Sequence, residues 1–161
     1  MPESTISRED FLKYVRAFNA HDFEVQHDFY HEDVTLDLPD PQTPLLKGSD
    51  GIKSHYIPLF AVADEVLVPL AIAIDGHNIF YIMESYFTYK KKLPSGVFGH
   101  AVEPGDIIKI QVWAHYKIVD GKMKTIVCNL LHDVFLGKAN LEDALAESKS
   151  RADPDLQDFF D

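Results

Sequence analysis

The sequence predicts an α+β fold in which N-terminal helices pack on one face of a largely antiparallel sheet, and three observations support this prediction. Apolar residues recur at helical spacing up to about residue 61. From Val66 onward they alternate with polar residues, as they do in strands that bury one face. Asp75-Gly76 and Asp120-Gly121 are typical of tight hairpin turns, because both residue types tolerate positive φ. Helices followed by long, hairpin-connected strands indicate an α+β domain.

Three helices are predicted before the main run of strands. Ser7 and Asp10 form a capping pair for the first helix. The apolar face of this helix carries Phe11, Tyr14, Val15 and Phe18. A short second helix is expected over about residues 23–30 and a third over residues 48–61, where Pro58 marks a kink or an early end.

One strand is predicted before the third helix and four after it. Residues 34–38 alternate, so that Leu36 and Leu38 face inward and Asp37 faces outward. By the same parity Asp40 returns to the inner side, near a rim of the sheet. The later strands are expected near residues 65–75, 78–91, 105–119 and 122–134, and a last helix over residues 140–150.

Length, composition and charge indicate one globular domain of 161 residues. Its core is expected over about residues 7–135, with a C-terminal helix and an acidic tail over residues 140–161. Apolar residues make up 46% of the chain, which is too many for a disordered segment. The net charge of −11 argues against nucleic acid as a partner, because phosphate backbones are bound by clustered Lys and Arg.

Cysteine content and hydropathy indicate the compartment. The single cysteine, Cys128, excludes an internal disulfide. No signal peptide is recognisable, and the apolar runs are broken by Pro, Asp or Gly before they could cross a membrane. We therefore expect a soluble protein of the cytoplasm with no membrane partner.

Residues 11–39 carry a recognisable order of residue types. Matches to ketosteroid isomerases occur at Tyr14-Val15, Asn19-Ala20, Asp22, Tyr30, Asp33, Thr35 and Pro39. The stretch resembles the opening of the fold shared by nuclear transport factor two, ketosteroid isomerase, scytalone dehydratase and the SnoaL-type polyketide cyclases. The resemblance extends over about residues 7–135. It implies a cone-shaped α+β barrel, in which three N-terminal helices pack on a curved mixed or antiparallel sheet around one apolar pocket.

The sequence departs from these relatives at their catalytic positions. Compared with ketosteroid isomerase, the base is replaced by Leu38 and the second oxyanion donor falls near Ala114. Compared with scytalone dehydratase, a pocket Tyr-Asp pair becomes Phe18-Asn19 and a later pocket tyrosine becomes Leu38. A catalytic base would therefore come from a new position, and Glu84 and Asp40 are the candidates.

Glu84 lies in a predicted strand whose two faces are both largely apolar. If Phe80 and Ile82 point inward, Glu84 and Tyr86 point inward too, and the resemblance to scytalone dehydratase supports this parity. Burial in an apolar pocket raises the pKa of a carboxyl toward neutrality, which suits a general base or acid. The alternative is a structural glutamate at the open end of the sheet, hydrogen-bonded to a neighbouring strand.

Tyr14, Tyr30 and Tyr56 form a second group of candidates. The resemblance implies that they match a hydrogen-bonded tyrosine network of some ketosteroid isomerases, with Tyr30 ending the second helix. The member at the Tyr14 position donates to the developing enolate oxygen there. A phenol suits this role because it donates strongly while it stays neutral at pH 7. The alternative is that these tyrosines only pack in the core with satisfied hydroxyls.

The strand over residues 105–119 has one apolar face, expected to be concave and to line the pocket with Val112. The opposite, convex face carries Gln111, Trp113 and His115, and we expect a homodimer to form through it. If Asp120-Gly121 is a two-residue turn, Val112 lies opposite Asn129. That register places Asn129 on the concave face, as a ligand for substrate, and Cys128 on the convex face.

Other site types have little support in the sequence. His27 and His31 have helical spacing but no third ligand, so we expect neither a metal site nor a cofactor. An epoxide hydrolase of this fold needs a buried arginine. Here the three arginines, Arg8, Arg16 and Arg151, are predicted on helices or in the tail.

The sequence therefore predicts a cofactor-independent isomerase, dehydratase or cyclase. It would move a proton next to a carbonyl of a small hydrophobic substrate, such as a polyketide or terpenoid intermediate. Glu84, Tyr14 and Asp40 are the predicted catalytic residues. The predicted substrate-binding residues are Phe18, Tyr30, Leu38, Tyr56, Tyr86, Val112 and Asn129. The alternative is a non-catalytic ligand carrier or a dimeric interaction module of the same fold.

Overall fold

The computed structural model describes residues 5–161, without the side chains of residues 95–97, so the first four residues of the predicted domain lie outside it. The helices are α1 (Arg8–Asn19), α2 (Phe23–His27), α3 (Gly48–Val62) and α4 (Leu141–Arg151), followed by a 3₁₀ turn at Pro154–Leu156. The strands are β1 (Tyr30–Asp37), β2 (Leu46–Lys47), β3 (Ala63–Asp75), β4 (Asn78–Tyr89), β5 (Leu93–Val97), β6 (His100–Val102), β7 (Ile107–Val119) and β8 (Lys122–Gly137).

Six strands form one sheet in the order β2-β1-β8-β7-β4-β3, and β5 pairs with β6 in a separate hairpin. All neighbours in the large sheet are antiparallel except β1 and β8, which are parallel. Helices pack on this curved sheet as predicted, and the sheet stays open rather than closing into a barrel. The predicted α+β class is confirmed.

The first helices form largely as their sequences predict. The Ser7 hydroxyl accepts a hydrogen bond of 3.1 Å from the Asp10 N–H and caps α1, whose predicted apolar face is buried. The second helix is shorter than expected, because the Phe29 carbonyl already accepts from the Met123 N–H of β8 at 2.8 Å. Tyr30 therefore begins β1, and the prediction that it ends a helix is wrong.

The parity of β4 is the opposite of the predicted one. Met83 and Phe87 face the helices, whereas Phe80 points away from them and remains 49% exposed. Glu84 and Tyr86 consequently lie on the convex face, so their predicted inward orientation is wrong. Both are buried there because α4 packs over them, and this cover explains why the strand is apolar on both sides.

The register of the last hairpin also differs from the predicted one. Asp120 and Gly121 form the expected two-residue turn, both with positive φ. The pairing then shifts by one residue at a bulge near Lys124, between the β7 residues Lys117 and Ile118. A shift of one residue exchanges the two faces of the positions that follow, here as far as the next shift, opposite Gln111 and Val112.

The bulge corrects two predicted placements. Trp113 lies opposite Asn129, and Ala114 lies opposite Cys128. Asn129 is therefore exposed on the convex face, where its side-chain amide donates to the Trp113 carbonyl at 3.4 Å, whereas Cys128 is on the concave face.

The C-terminal segment after α4 crosses the edge strand β3 and returns to α1. The Asp153 N–H donates to the Leu70 carbonyl of β3 at 2.9 Å. Arg8 pairs with Asp155 at 2.6 Å, and Arg16 donates to the Phe159 carbonyl at 3.1 Å. Both faces of the sheet are thus partly covered by helix, the concave one by α1 and α3 and the convex one by α4.

Candidate active site

An apolar cavity of about 120 Å³ lies between the concave face of the sheet and helices α1 and α3. Several predicted site residues line it: Tyr14, Phe18, Tyr30, Leu38, Asp40, Tyr56 and Val112. Most of the remaining lining is aliphatic or aromatic, so few polar groups can orient a ligand. Glu84, Tyr86 and Asn129 are not among the lining residues, because they lie on the convex face.

Glu65 is the buried acid that the cavity does contain. It lies near the start of β3, is 7% exposed, and accepts a hydrogen bond of 2.6 Å from the Ser85 hydroxyl. Burial raises the pKa of Glu65 to about 7, and the bond from Ser85 only partly opposes this effect. At neutral pH this carboxyl can therefore both give and take a proton.

Sequence reasoning missed Glu65 because the face on which it lies depends on the register between β3 and β4. Ala63, Glu65 and Leu67 alternate toward the same buried side. The hairpin at Gly76 also pairs Leu67 with Ser85, which brings the Ser85 hydroxyl within reach of Glu65. Counting both strands back from that hairpin would instead have placed Glu65 opposite Thr88, because the pairing shifts by one residue at a bulge between Pro69 and Ala71.

A chain of side chains links Tyr14 to α2. The Gln26 amide donates to the Tyr30 hydroxyl at 3.0 Å, and the hydroxyls of Tyr30 and Tyr14 are 2.9 Å apart, with either able to donate. Burial raises the pKa of Tyr14 well above its usual value and that of Tyr30 to about 12. Both phenols are therefore neutral donors at physiological pH.

Tyr89 places another hydroxyl at the cavity. Its side chain lines the cavity, and among the described residues its buried hydroxyl has no hydrogen-bond partner. Burial, followed by the nearby charges of Glu65 and Asp40, raises the pKa of Tyr89. An unpaired buried hydroxyl is costly unless a ligand or water completes it, so it is a candidate contact for a bound molecule.

Asp40 lies at the rim of the cavity, as its parity predicts. Its carboxylate accepts from the Gln42 N–H at 2.9 Å and from the Thr43 hydroxyl at 3.3 Å, which folds the loop after β1. His55 lines the cavity as well, and burial lowers its pKa against the opposing effect of Asp40. The rim therefore holds a carboxylate already engaged in its loop and an imidazole that favours the neutral form.

Glu84 occupies a different environment on the convex face. Its carboxylate accepts from the Gln111 amide at 3.0 Å, from the Ser148 hydroxyl and from the Arg151 guanidinium. Burial alone would raise the pKa of Glu84, but the bonds from Arg151, Ser148 and Gln111 outweigh it and lower the pKa to about 2. Tyr86 joins the same cluster and donates to the Ala144 carbonyl of α4 at 2.9 Å.

Cys128 and the arginines bear on other kinds of chemistry. Burial raises the pKa of the Cys128 thiol to about 12, so this group stays protonated in the cavity wall. All three arginines of the chain are described, and none lines the cavity. Each is bound elsewhere: Arg8 to Asp155, Arg16 to the Phe159 carbonyl and Arg151 to Glu84.

The described residues 5–161 also bear on metal binding and on membrane insertion. Among these residues, no group of three His, Cys, Asp or Glu side chains is placed so that it could bind a metal ion. None of the helices that they form combines the length and the hydrophobicity that a membrane span requires. The cavity combines a carboxyl that can give and take a proton at neutral pH with neutral phenols that can donate hydrogen bonds.

Comparison with solved structures gives the same fold. A protein from Xanthomonas campestris that is assigned as a polyketide cyclase is 20% identical to this chain. Its TM-score is 0.61 over 84% of this chain and 90% of that chain. Another with the same assignment, from Pseudomonas putida, is 19% identical, with a TM-score of 0.60 over 82% and 90%. An epoxide hydrolase of the LEH-like type from M. tuberculosis is 9% identical, with a TM-score of 0.58 over 76% and 80%. At these identities the likeness concerns the fold alone.

The family assignment comes from the sequence. No curated protein matches the chain. Residues 11–126, which span the first helices and most of the sheet, match the SnoaL-like domain. The chain therefore belongs to the SnoaL-like domain family, within the nuclear transport factor 2-like fold that its opening residues resemble.

Proposed function

We propose that this protein is a cofactor-independent isomerase, dehydratase or cyclase that moves a proton on a small hydrophobic carbonyl compound, such as a polyketide or terpenoid intermediate. The observation that supports it most is Glu65, a carboxyl with a pKa of about 7 inside an apolar cavity. A base whose pKa is close to the operating pH combines a useful ionised fraction with a useful basicity. Glu65 takes the role that the sequence had suggested for Glu84.

In the proposed mechanism the Glu65 carboxylate removes a proton from the carbon next to the substrate carbonyl. The bonding electrons move to the carbonyl oxygen, and Tyr14 and Tyr89 donate hydrogen bonds to it. Gln26 and Tyr30 hold the Tyr14 hydroxyl in place. The protonated Glu65 then returns the proton to another carbon or to a departing hydroxyl.

The remaining predicted residues keep supporting roles in this proposal. Phe18, Leu38, Tyr56 and Val112 shape the apolar wall. Asp40 contacts the substrate at the rim, where its bonds to the loop fix its position. Tyr86 and Asn129 lie outside the cavity and are not assigned to it.

The test is proton exchange on a simple hydrophobic ketone. The protein is incubated with 2-tetralone in deuterated buffer near neutral pH, and deuteration next to the carbonyl is followed by NMR. The Glu65→Gln variant should lose roughly a hundredfold or more of the protein-dependent rate, the size typical of a lost general base. Asp64→Asn is the matched control, because the exposed neighbour Asp64 pairs with Lys90 outside the cavity.

Two results would decide against this mechanism. Exchange at the same rate in Glu65→Gln and in the unmodified protein would remove Glu65 as the base. A rate that falls equally in Glu65→Gln and Asp64→Asn would indicate a general electrostatic effect. The exchange rate should also rise with pH through about 7, since only ionised Glu65 accepts the proton.

A ligand carrier is the second candidate, favoured by the apolar lining of the cavity. A carrier would bind a neutral aromatic such as 2-naphthol without accelerating exchange on any ketone. Fluorescence titration measures binding, which we expect for either function, and the exchange assay separates them. In an enzyme, Glu65→Gln should keep the affinity for the probe while it loses turnover.

We also propose that the convex face pairs with a second copy of this chain. Phe80 and Trp113 are about half exposed there. Two polar side chains beside them are already satisfied: the Trp113 indole donates to Gln111 at 3.0 Å, and His115 bonds to Asn78 at 2.8 Å. Covering such a face costs little desolvation of unpaired groups. Sedimentation should show a dimer that Trp113→Glu dissociates; a monomeric unmodified protein at micromolar concentration would contradict this interface.

A further inference from the structure

The β5–β6 hairpin lies between β4 and β7 in the chain, at one end of the large sheet. It connects Tyr89 at the end of β4 to Ile107 at the start of β7, and its strands pair only with each other among the described residues. At its base Val102 is buried, and Asp106 accepts from the Glu103 N–H at 2.8 Å and from Lys138 at 2.6 Å. The base is thus tied to the domain, and the tip extends from it.

The tip of the hairpin has an unusual residue for its conformation. Val97 pairs with His100, so Phe98 and Gly99 are a two-residue turn with φ of 50° and 79°. Turns with positive φ at both positions favour Asn-Gly or Asp-Gly, because a large side chain crowds the backbone in the left-handed region. Phe98 is unfavourable for the turn, which raises the question of what its ring does.

The ring of Phe98 lies at the cavity. Phe98 is one of the lining residues, half-buried, and its ring centroid is 5.8 Å from that of Phe87 on β4. A polar turn residue such as Asn would suit the backbone better but would leave this part of the cavity wall uncovered.

Contacts with β8 hold the tip in this position. His100, directly after the turn, bonds through Nε2 to a carboxylate oxygen of Asp133 at 2.9 Å. The His100 ring also stacks on Phe135, with 5.4 Å between ring centroids. The hairpin is thus fastened on both sides, by Phe98 at the cavity and by His100 on β8.

We infer that Phe98 is the gate residue of the cavity, and that the His100–Asp133 pair keeps the gate closed. Small molecules enter when the tip of the hairpin lifts, and the Phe98 ring limits the size and rate of what enters. This inference concerns access alone and does not depend on Glu65 acting as a base.

Cys128 provides a direct measure of access. It is the only cysteine of the chain, and its side chain lines the cavity. Its reaction with 4,4′-dithiodipyridine, a small neutral aromatic disulfide, forms a mixed disulfide and releases one thiopyridone that is followed by absorbance. Because burial keeps the Cys128 thiol largely protonated, labelling is slow, and its rate is compared between variants at one pH. That comparison reports how readily a molecule of aromatic size reaches the cavity wall, without any need for the natural substrate.

Two variants at position 98 separate gating from damage to the turn. Phe98→Asn fits the left-handed turn and removes the cover, so labelling of Cys128 should be at least about tenfold faster while the melting temperature does not fall. Phe98→Trp keeps a large ring over the cavity and fits the turn as poorly as Phe98 does, so labelling should stay at the original rate. Phe160→Asn, which removes a partly exposed ring in the C-terminal segment away from the cavity, is the control and should leave the labelling rate unchanged.

The anchor is tested in the same assay. Asp133→Ala removes the partner of His100 and should accelerate labelling by a smaller factor, about threefold, because the pair is partly exposed and contributes modestly. A labelling rate in Phe98→Asn within about twofold of the original would overturn the inference. Equal acceleration in Phe98→Asn and Phe98→Trp would also overturn it, since the turn rather than the ring would then control access.

Discussion

Two buried glutamates on adjacent strands of the same sheet have pKa values shifted in opposite directions. Glu65 on β3 faces the concave cavity, and Glu84 on β4 faces the convex side under α4; they are 7% and 1% exposed. The single side-chain bond from Ser85 leaves the pKa of Glu65 raised to about 7. Bonds from Arg151, Ser148 and Gln111 lower that of Glu84 to about 2. Burial raises the pKa of both carboxyls, and only Glu84 has a guanidinium and two further donors that reverse this effect, so only Glu65 can exchange a proton at neutral pH.

The same contrast gives the two residues opposite effects on stability. The folded state holds the Glu65 proton more tightly than the unfolded chain, so stability falls as pH rises from about 4.5 to about 7. The folded state releases the Glu84 proton more readily, so its contribution is present above about 4.5 and is lost as pH falls toward 2. Ionised Glu65 therefore lowers the stability of the fold, whereas ionised Glu84 stabilises the packing of α4 on the sheet.

The largest expected effect is a gain of stability when Glu65 is neutralised. At about pH 8, Glu65→Gln should raise the free energy of unfolding by up to about 3 kcal/mol, because the burial of a charged carboxylate is avoided. At about pH 4 the gain should vanish, since Glu65 is then already protonated. Urea unfolding at both pH values measures this difference, and a gain of equal size at both would break the proposed contrast.

Neutralising Glu84 should have the opposite sign. Glu84→Gln should lower the free energy of unfolding at neutral pH by about 2 kcal/mol, a value reduced because Arg151 is 40% exposed and can be solvated. The loss should shrink as pH falls from 4.5 toward 2. Glu147→Gln is the matched control, because this exposed residue binds the same arginine; an equal loss in both variants would contradict a special role for Glu84.

Removing the Ser148 hydroxyl should have a smaller effect. This hydroxyl bonds to both Glu84 and Tyr86 and is fully buried, so Ser148→Ala should lower the free energy of unfolding by about 1 kcal/mol. Ser150→Ala on the same helix removes an exposed hydroxyl that bonds only to the Glu147 carbonyl, and it should be nearly neutral. The two variants are compared by chemical denaturation at neutral pH. Equal losses would contradict a specific role of the Glu84 cluster, since Ser→Ala raises helix propensity at both positions.

The smallest expected effect concerns Ser85, which lies next to Glu84 in the chain but bonds to Glu65. Its hydroxyl lowers the pKa of Glu65, so Ser85→Ala should raise that pKa further above 7 and leave the pKa of Glu84 unchanged. Carboxyl NMR of labelled protein measures both values. A fall in the pKa of Glu65, or a parallel change at Glu84, would show that the two sites are not separated by the sheet.

Local sequence signals predicted most of the fold. The capping pair at Ser7, the apolar face of α1 and the turn at Asp120-Gly121 all formed as expected, because each depends on residues a few positions apart. Tyr14 and Tyr56, which the resemblance implied, line the cavity. Tyr86 lies outside it, and Tyr89, which lines it, was not predicted. Tyr30 lines the cavity even though it begins a strand instead of ending a helix.

The errors came from contacts that local patterns do not encode. The faces of β4 were indistinguishable because Glu84 and Tyr86 are covered by α4, about sixty residues later in the chain. The bulge near Lys124 places Asn129 on the convex face and Cys128 on the concave one. No glycine or proline occurs at the bulge that would have predicted it. Glu65 required the register of β3 against β4, which depends on both strands together.

The most direct test of the proposed active site is a carboxyl NMR titration of glutamate-labelled protein, with Glu65→Gln and Glu84→Gln variants to assign the two signals. We expect Glu65 to titrate with a pKa of about 7 and Glu84 with a pKa of about 2. A Glu65 pKa near the ordinary value of about 4.3 would contradict a proton-exchanging carboxyl in the cavity, and the carrier function would then be favoured.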